Sequence, residues 1–459
     1  MNAIINFDFE RVVGKIKPMH GVGQPPIYGI SDKLFHYLTE ANIPFSRLHD
    51  VGGVFGGNRF VDICNIFRDF NADESLPESY DFAFTDILIS SLIKHNVEPI
   101  FRLGETIENY HFIKAYRIFP PKDYAKWARI CEHIIRHYNE GWANGFRYGI
   151  KYWEIWNEPE NGVDEKENQM WHGTDEQFFE LYAVTAKHLK AVFGDSIKVG
   201  GYASCGFRHI LSDPERYGVD CEKSTDGCYA AERSRHFISF MDGFFDYIGK
   251  ANAPLDFFSW HSYLTTEHTV VGARFLERKL KELGYEGVET HLNEWNNACV
   301  DMEDFDYSQS LGRALLGTGE AAARAASMMI AMQGSPTDVL CYYDARVGCS
   351  TYGGMFNPIS FEPFPLYYSF CAFGELYSLG EEVYLDYPQL DGLYALAARG
   401  GERRAVMLAN TTDSPICIET NLDGDYDVFA VDDVRVLDRV EVDCRSFTIP
   451  AYSVYLIKN

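Results

Sequence analysis

The chain has 459 residues, with 67 Asp and Glu against 41 Lys and Arg, a formal charge of −26. That acidity argues against nucleic acid or an anionic membrane as partner, because phosphates need a basic patch, and it favours a neutral ligand. A hydrophobic share of 46% with 15% aromatics excludes a mostly disordered chain, and the length suits one large domain plus a smaller one.

The opening "MNAIINFDFERVVGKIKP" has no positive n-region followed by an apolar stretch, so it does not read as a signal peptide. No run of about 20 apolar residues suggests a membrane span. Eleven scattered cysteines without metal-finger spacing read as reduced thiols of a cytoplasmic protein. Within residues 1–14, "AIINFDF" reads as a strand that joins a C-terminal sheet.

From 15 to 375, short apolar strands alternate with amphipathic helices. The strand segments are "KPMHGVG", "FSRLHD", "EPIFRLGE", "YWEIWNEP", "KVGGYAS", "DFFSWHSY", "THLNEWN" and "VLCYYDA". Helical stretches such as "KDYAKWARICEHIIRHYNEG" and "TDEQFFELYAVTAKHLKAVFG" lie between them; the latter starts with Thr174 and Gln177 in capping-box spacing. Eight such alternations predict an α/β fold of (β/α)8 barrel type. An open doubly wound sheet is the competing architecture, but "HGVGQPP" lacks the dinucleotide-binding glycine pattern. From 376 to 459, short strands separated by Gly, Asp and Pro turns predict a smaller antiparallel β-sandwich.

Segment 152–160, "YWEIWNEPE", alternates as a strand and ends at Asn-Glu-Pro, since proline cannot donate to a sheet ladder. Alternation places Trp153, Ile155 and Asn157 on one face. Glu154 then faces away from Asn157 and reads as a surface or interhelix carboxylate. In a barrel, the active face lies at the C-terminal strand ends. Arg47 and His49 close the second strand, Asn157 and Glu158 the fourth, and His261 and Tyr263 the sixth. Glu294, Trp295 and Asn296 close the seventh, and Asp344 the eighth. Glu158 and Glu294 can thus face each other, and a carboxyl pair is what glycosidic cleavage requires. Arg47 is positioned to keep one of them ionised. Trp153, Trp156 and Trp295 offer flat faces suited to pyranose rings. His20 and His49 sit on different strands without ligand spacing, so no metal site and no cofactor is expected.

With these residues in view, the chain resembles glycoside hydrolase family 39, in the clan of retaining barrel glycosidases. "YWEIWNEPE" is similar to the family's acid/base segment and "THLNEWNNA" to its nucleophile segment. "FSRLHD", "MWHGTDEQFFELY", "DFFSWHSY" and "FNPISFEPFPLYYSFCAFGEL" match in order. The resemblance implies Glu158 as acid/base and Glu294 as nucleophile, with carboxyls about 5 to 5.5 Å apart. It also implies that Asn157 holds the sugar 2-hydroxyl and Arg47 supports Glu294. His49, His261, Tyr263, Trp295 and Trp171 would then contact substrate, an oligosaccharide or aryl glycoside with a terminal β-xylosyl residue cut in exo fashion. Arabinosyl, galactosyl, glucosyl or uronosyl glycosides stay open. So do a carbohydrate-binding barrel without turnover and, more remotely, a metal-dependent sugar isomerase. Family members commonly assemble through their barrels, so a homo-oligomer is an expectation. Two departures touch the subsite: "CYYDAR" at the eighth strand, with Tyr342 and Tyr343 where a tryptophan motif is usual, and "FRLGET" at the third, with Arg102 and Glu105.

Overall fold

The computed structural model describes residues 2–28, 31–51, 60–106, 118–164, 168–207, 227–296, 314–348, 353–388 and 390–459, without the side chains of 227–234. After β1 (Asn2–Lys15), eight strands close into a parallel barrel. They are β2 (Gly21–Gly23), β3 (Phe45–Leu48), β4 (Glu98–Leu103), β5 (Tyr152–Ile155), β6 (Lys198–Ser204), β7 (Phe257–Ser262), β8 (Glu289–Trp295) and β9 (Val339–Tyr342), with β9 returning to β2. Each lies inside one of the eight segments expected from sequence, bar a one-residue extension of β8.

Helices wrap the barrel because their starts are capped and one face is apolar. Thr174 and Gln177 form the reciprocal capping box of helix Asp175–Phe193, and Asp123, Thr265 and Thr318 cap three others. One continuous core fills the space between strands and helices. Inside the barrel floor a separate small cluster gathers Ile100, Tyr152, Phe257, Val339 and Cys341, with Phe45 against it. β6 and β7 approach closely at Gly200, where an added Cβ would sit 2.1 Å from the Phe257 carbonyl oxygen.

The remaining strands are β10 (Glu381–Asp386), β11 (Leu393–Gly400), β12 (Arg403–Asn410), β13 (Ile416–Thr420), β14 (Asp427–Val431), β15 (Val436–Val440), β16 (Ser446–Ile449) and β17 (Ser453–Lys458). They join β1 in the order β15-β14-β17-β12-β11-β10-β1-β13-β16. β1 spans both layers: residues 6–15 pair with β10, and residues 2–5 with β13. The β1–β13 pair is parallel, so the sandwich departs there from a purely antiparallel pattern. Leu396, Met407, Val454 and Leu456 continue the barrel core, whereas Ile5, Val406, Ile418 and Ile449 belong to the sandwich's own core. No described helix is long and apolar enough to cross a membrane. No disulfide joins the seven cysteines whose side chains are described.

Candidate active site

Two local departures from regular strand geometry build the site. The first is at the end of β5. Tyr152 joins the barrel floor while Trp153 and Ile155 lie in the outer core, so Glu154 points inward above Tyr152. Alternation then breaks: Trp156 has φ 70° and Glu158 φ 45°. Trp156 turns outward, its Nε1 donating to the Met170 carbonyl at 2.8 Å, and the Glu158 amide donates to the Tyr202 carbonyl at 3.1 Å. Asn157 and Glu158 are thereby delivered to the mouth. The second departure is in β8, where the register on β7 slips between Trp260↔Leu292 and His261↔Glu294. This bulge lets consecutive residues Asn293 and Glu294 both bond inside the barrel while Leu292 and Trp295 join the outer core.

Arg47 is the hub. Its Nε donates to Glu154 Oε2 at 2.7 Å, Nη1 to Glu294 Oε1 at 2.6 Å and Nη2 to Asn157 Oδ1 at 2.6 Å, with the side chain 1% exposed. Burial disfavours its charge, but Glu154 and Glu294 outweigh that and hold the guanidinium above its ordinary pKa. Glu154 also accepts from Asn293 Nδ2 and is fully buried. The surface role expected for Glu154 is therefore corrected: alternation fixed the strand's two faces but not which one lined the barrel.

Tyr263 donates to Glu294 Oε2 at 2.6 Å. His261 Nδ1 lies 2.6 Å from Glu158 Oε1 and 3.4 Å from Glu294 Oε2, bridging the two carboxyls. Asn161, which sequence reasoning passed over, donates from Nδ2 to Glu158 Oε2 at 2.6 Å. Its only signal was its place three residues after Glu158. One oxygen of Glu158, one of Glu294 and a His261 nitrogen all lie within 4.8 Å of one another.

Burial pushes Glu294 above the usual carboxylate range, while His261, Arg47 and Tyr263 pull it back. Burial lowers His261 to about 4, so the imidazole is neutral at pH 7. Burial raises the Tyr263 phenol well above its ordinary value and keeps it a donor. His49 stands at the same mouth, accepting at Nδ1 from Arg102 Nε at 3.2 Å, and burial followed by Arg102 keeps it neutral.

The tryptophans differ from expectation. Trp295 is fully buried, stacked on Phe370 of helix Pro365–Leu379 and edge-on to Tyr342, because the bulge turns it outward. Trp171 is 1% exposed, packed edge-to-face on Trp156 and Phe178, with Nε1 bonded to the Thr174 carbonyl. Trp153 stacks on Phe101 in the outer core. Among the described residues, Trp295 and Trp171 present their rings to other aromatic rings behind the rim. His20 lies away from the mouth, against Phe373 and Tyr377. Asp344 is fully buried and pairs with Arg346.

Two groups of described residues have metal-ligand composition, Glu158–His261–Glu294 and Asp62–Cys64–Glu105. In the first, both oxygens of each glutamate already meet Arg47, Tyr263, His261 or Asn161. In the second, Asp62 accepts from Arg102 and Thr106, and Glu105 from the Cys64 amide and thiol. Protein donors and a guanidinium serve both sets.

A closed (β/α)8 barrel with paired glutamates, one just after β5 and one near the end of β8, defines a barrel-glycosidase architecture. The model of the glycosyl hydrolases family 39 matches residues 50–346, and the chain belongs to that family. A beta-xylosidase from Geobacillus stearothermophilus is 30% identical over 163 residues, which are 33% of this chain and 30% of that protein. A second, from Caldicellulosiruptor saccharolyticus, is 29% identical over 150 residues, 29% of this chain and 27% of its own. The chain thus aligns with less than a third of the length of these relatives. Among solved structures, a glucosidase from Croceicoccus marinus superposes with a TM-score of 0.74 at 20% identity, covering 100% of this chain and 99% of that one. A family 39 enzyme from Xanthomonas axonopodis pv. citri gives 0.65 at 16% identity, covering 99% and 96%. Both likenesses speak to fold.

Proposed function

We propose that the chain is a retaining, exo-acting glycoside hydrolase of β-D-xylosidase type, with Glu294 as nucleophile and Glu158 as acid/base. The observation that carries this reading is the approach of the two carboxyls, with an oxygen of each within 4.8 Å. Inverting enzymes separate theirs by about 6.5–9.5 Å to admit a water. The surroundings support this division of roles. Glu294 receives a guanidinium and a phenol, which stabilise an anion before and after attack on the anomeric carbon. Glu158 receives neutral groups, Asn161 and His261, which suits a carboxyl that gives and retakes a proton. Asn157 turns its oxygen to Arg47, and its Nδ2, which has no hydrogen-bond partner among the described residues, is a donor for the sugar 2-hydroxyl.

In the first step Glu158 protonates the leaving oxygen as Glu294 attacks C1, giving a covalent glycosyl-enzyme. In the second, Glu158 takes a proton from water, which attacks C1 and releases Glu294. The xylosyl preference and exo action rest on the family and on the named relatives.

The test separates the glutamates. Glu294→Gln should abolish turnover on every substrate. Glu158→Ala should lose far more rate on natural sugars than on a dinitrophenyl glycoside, whose phenolate departs unaided. Added azide, which needs no general base, should restore its rate and yield a glycosyl azide of retained configuration. Equal losses on good and poor leaving groups, without azide rescue, would remove Glu158 from the role. No release from any nitrophenyl glycoside by the wild type would favour a binding barrel, and activity that collapses with EDTA a metal-dependent isomerase. Interior cleavage of a polymer without monosaccharide release would refute exo action.

A further inference from the structure

A second hydrogen-bonded network occupies the mouth beside the carboxyl pair. Asp62 Oδ1 accepts from Arg102 Nη2 at 2.8 Å, and Arg102 Nε donates to His49 Nδ1 at 3.2 Å. A neutral imidazole that accepts at Nδ1 carries its proton on Nε2, and that nitrogen faces Asp50 Oδ1 at 3.2 Å. Asp50 Oδ2 in turn accepts from the Tyr343 hydroxyl at 2.7 Å. The phenol has one proton and gives it to Asp50, so it meets its other neighbours as an acceptor. Gln24 Nε2 donates to it at 2.9 Å, and Arg346 Nη2 at 3.2 Å.

This order fixes the Gln24 amide. Its NH2 is committed to the phenol, which leaves Oε1 as an acceptor. Gln24 is 1% exposed, and Oε1 has no hydrogen-bond partner among the described residues. Buried polar atoms are nearly always paired, and an unpaired one calls for an explanation. Position supplies one. Gln24 directly follows β2, its backbone N–H donating to the Arg47 carbonyl at 3.0 Å. The Tyr343 ring stands edge-on to Tyr263 with centroids 6.4 Å apart, and Tyr263 holds Glu294. One pair of phenol rings therefore separates Gln24 from the nucleophile.

We propose, on the glycosidase reading above, that Gln24 is a specificity-determining residue whose Oε1 accepts a hydrogen bond from the sugar hydroxyl at C3 or C4. With C1 at Glu294 and the 2-hydroxyl at Asn157, those carbons lie on the far side of a pyranose ring. A lone-pair acceptor takes an O–H there and disfavours a carboxylate or an O-alkyl group. The substrate class is thus a neutral pyranoside with that hydroxyl free.

The test pairs enzyme and substrate deletions. The nitrophenyl pyranoside that the wild type cleaves best is compared with its 3-deoxy and 4-deoxy analogues, in wild type and in Gln24→Met, which keeps length and loses both polar atoms. Wild-type kcat/KM should fall roughly 10- to 100-fold on one analogue. Gln24→Met should fall comparably on the parent and lose nothing more on that analogue. The parent-to-analogue ratio is internal to each preparation, so the fraction folded does not enter it. Should Gln24→Met not fold, Tyr343→Phe carries the same test, because it frees the amide to turn and should erode discrimination at the same carbon. Unchanged ratios at both carbons would overturn the assignment alone. No turnover of any glycoside by the wild type would refute the glycosidase reading, and the assignment with it.

Discussion

Replacing Arg47 tests the charge arrangement at its centre. The guanidinium makes three short bonds, at 2.7, 2.6 and 2.6 Å, to Glu154, Glu294 and Asn157. In Arg47→Met two buried carboxyls lose their cation together. Removing one partner of a buried pair costs about 3–5 kcal/mol, so Arg47→Met should lose at least about 3 kcal/mol of stability. Arg47→Lys keeps the charge but not the planar fork, and it should lose about one charge-assisted bond, roughly 1.5–3 kcal/mol. The kinetic consequence has a definite sign. Arg47 favours ionised Glu294 against burial, so its loss raises the Glu294 pKa further. With Glu294 as the proposed nucleophile, which must be deprotonated to react, the acid limb of kcat/KM should then move to higher pH. A cation beside a carboxylate is worth about one to three pH units, so Arg47→Met should shift the limb by that much and Arg47→Lys by less. Urea unfolding followed by tryptophan fluorescence gives the first quantity, and a pH profile on a nitrophenyl glycoside the second. An Arg47→Met protein with wild-type urea midpoint and wild-type acid limb would refute the reasoning.

Burial raises Glu105 and Glu160 to about 8, above the ordinary carboxylate value, so each folded carboxyl binds its proton more tightly than the unfolded one does. Stability should therefore fall as pH rises from about 4.5 to 8, and Glu105→Gln or Glu160→Gln should flatten that slope by a few kcal/mol in urea titrations across the range. Trp295→Ala should cost about 3–5 kcal/mol of stability, as for a core tryptophan. Trp295→Phe should lower Tm while leaving KM for aryl glycosides within about twofold, because the ring faces Phe370 rather than the sugar.

The elements were legible because their signals are local. Apolar runs bounded by Gly, Pro and Asn marked all eight barrel strands, and Thr174–Gln177 marked a helix start that the structure realises in full. Orientation was not legible, for a physical reason. Parallel barrel strands are buried on both faces, so their sequences carry no polar phase that says which side is inside. Tyr152 and Trp153 are both buried aromatics, one in the floor and the other in the outer core. That ambiguity sent Glu154 outward and Trp295 inward in the sequence reading. The bulge at Asn293–Glu294 and the positive φ at Trp156 and Glu158 arise from pairing with neighbouring strands, which no window of sequence contains.

If Glu294 is the nucleophile proposed above, Glu154 explains how it can sit against a full cation without being quenched. An arginine paired with Glu294 alone would hold its carboxylate in a tight two-point clamp and lower its basicity and its nucleophilicity together. Here Nε belongs to Glu154 and Nη2 to Asn157, so Glu294 receives a single nitrogen, Nη1, on one oxygen. Asn293, brought inward by the bulge, steadies the other oxygen of Glu154 and so fixes the guanidinium plane. Tyr263, a neutral donor, takes the remaining Glu294 oxygen. The outcome is a carboxyl whose burial still pushes its pKa upward despite the cation. A carboxyl raised in this way keeps the basicity to bond carbon, which the proposed glycosyl-enzyme intermediate demands. In the proposed reaction Glu154 and Asn293 would act as positioning residues, holding Arg47 against Glu294.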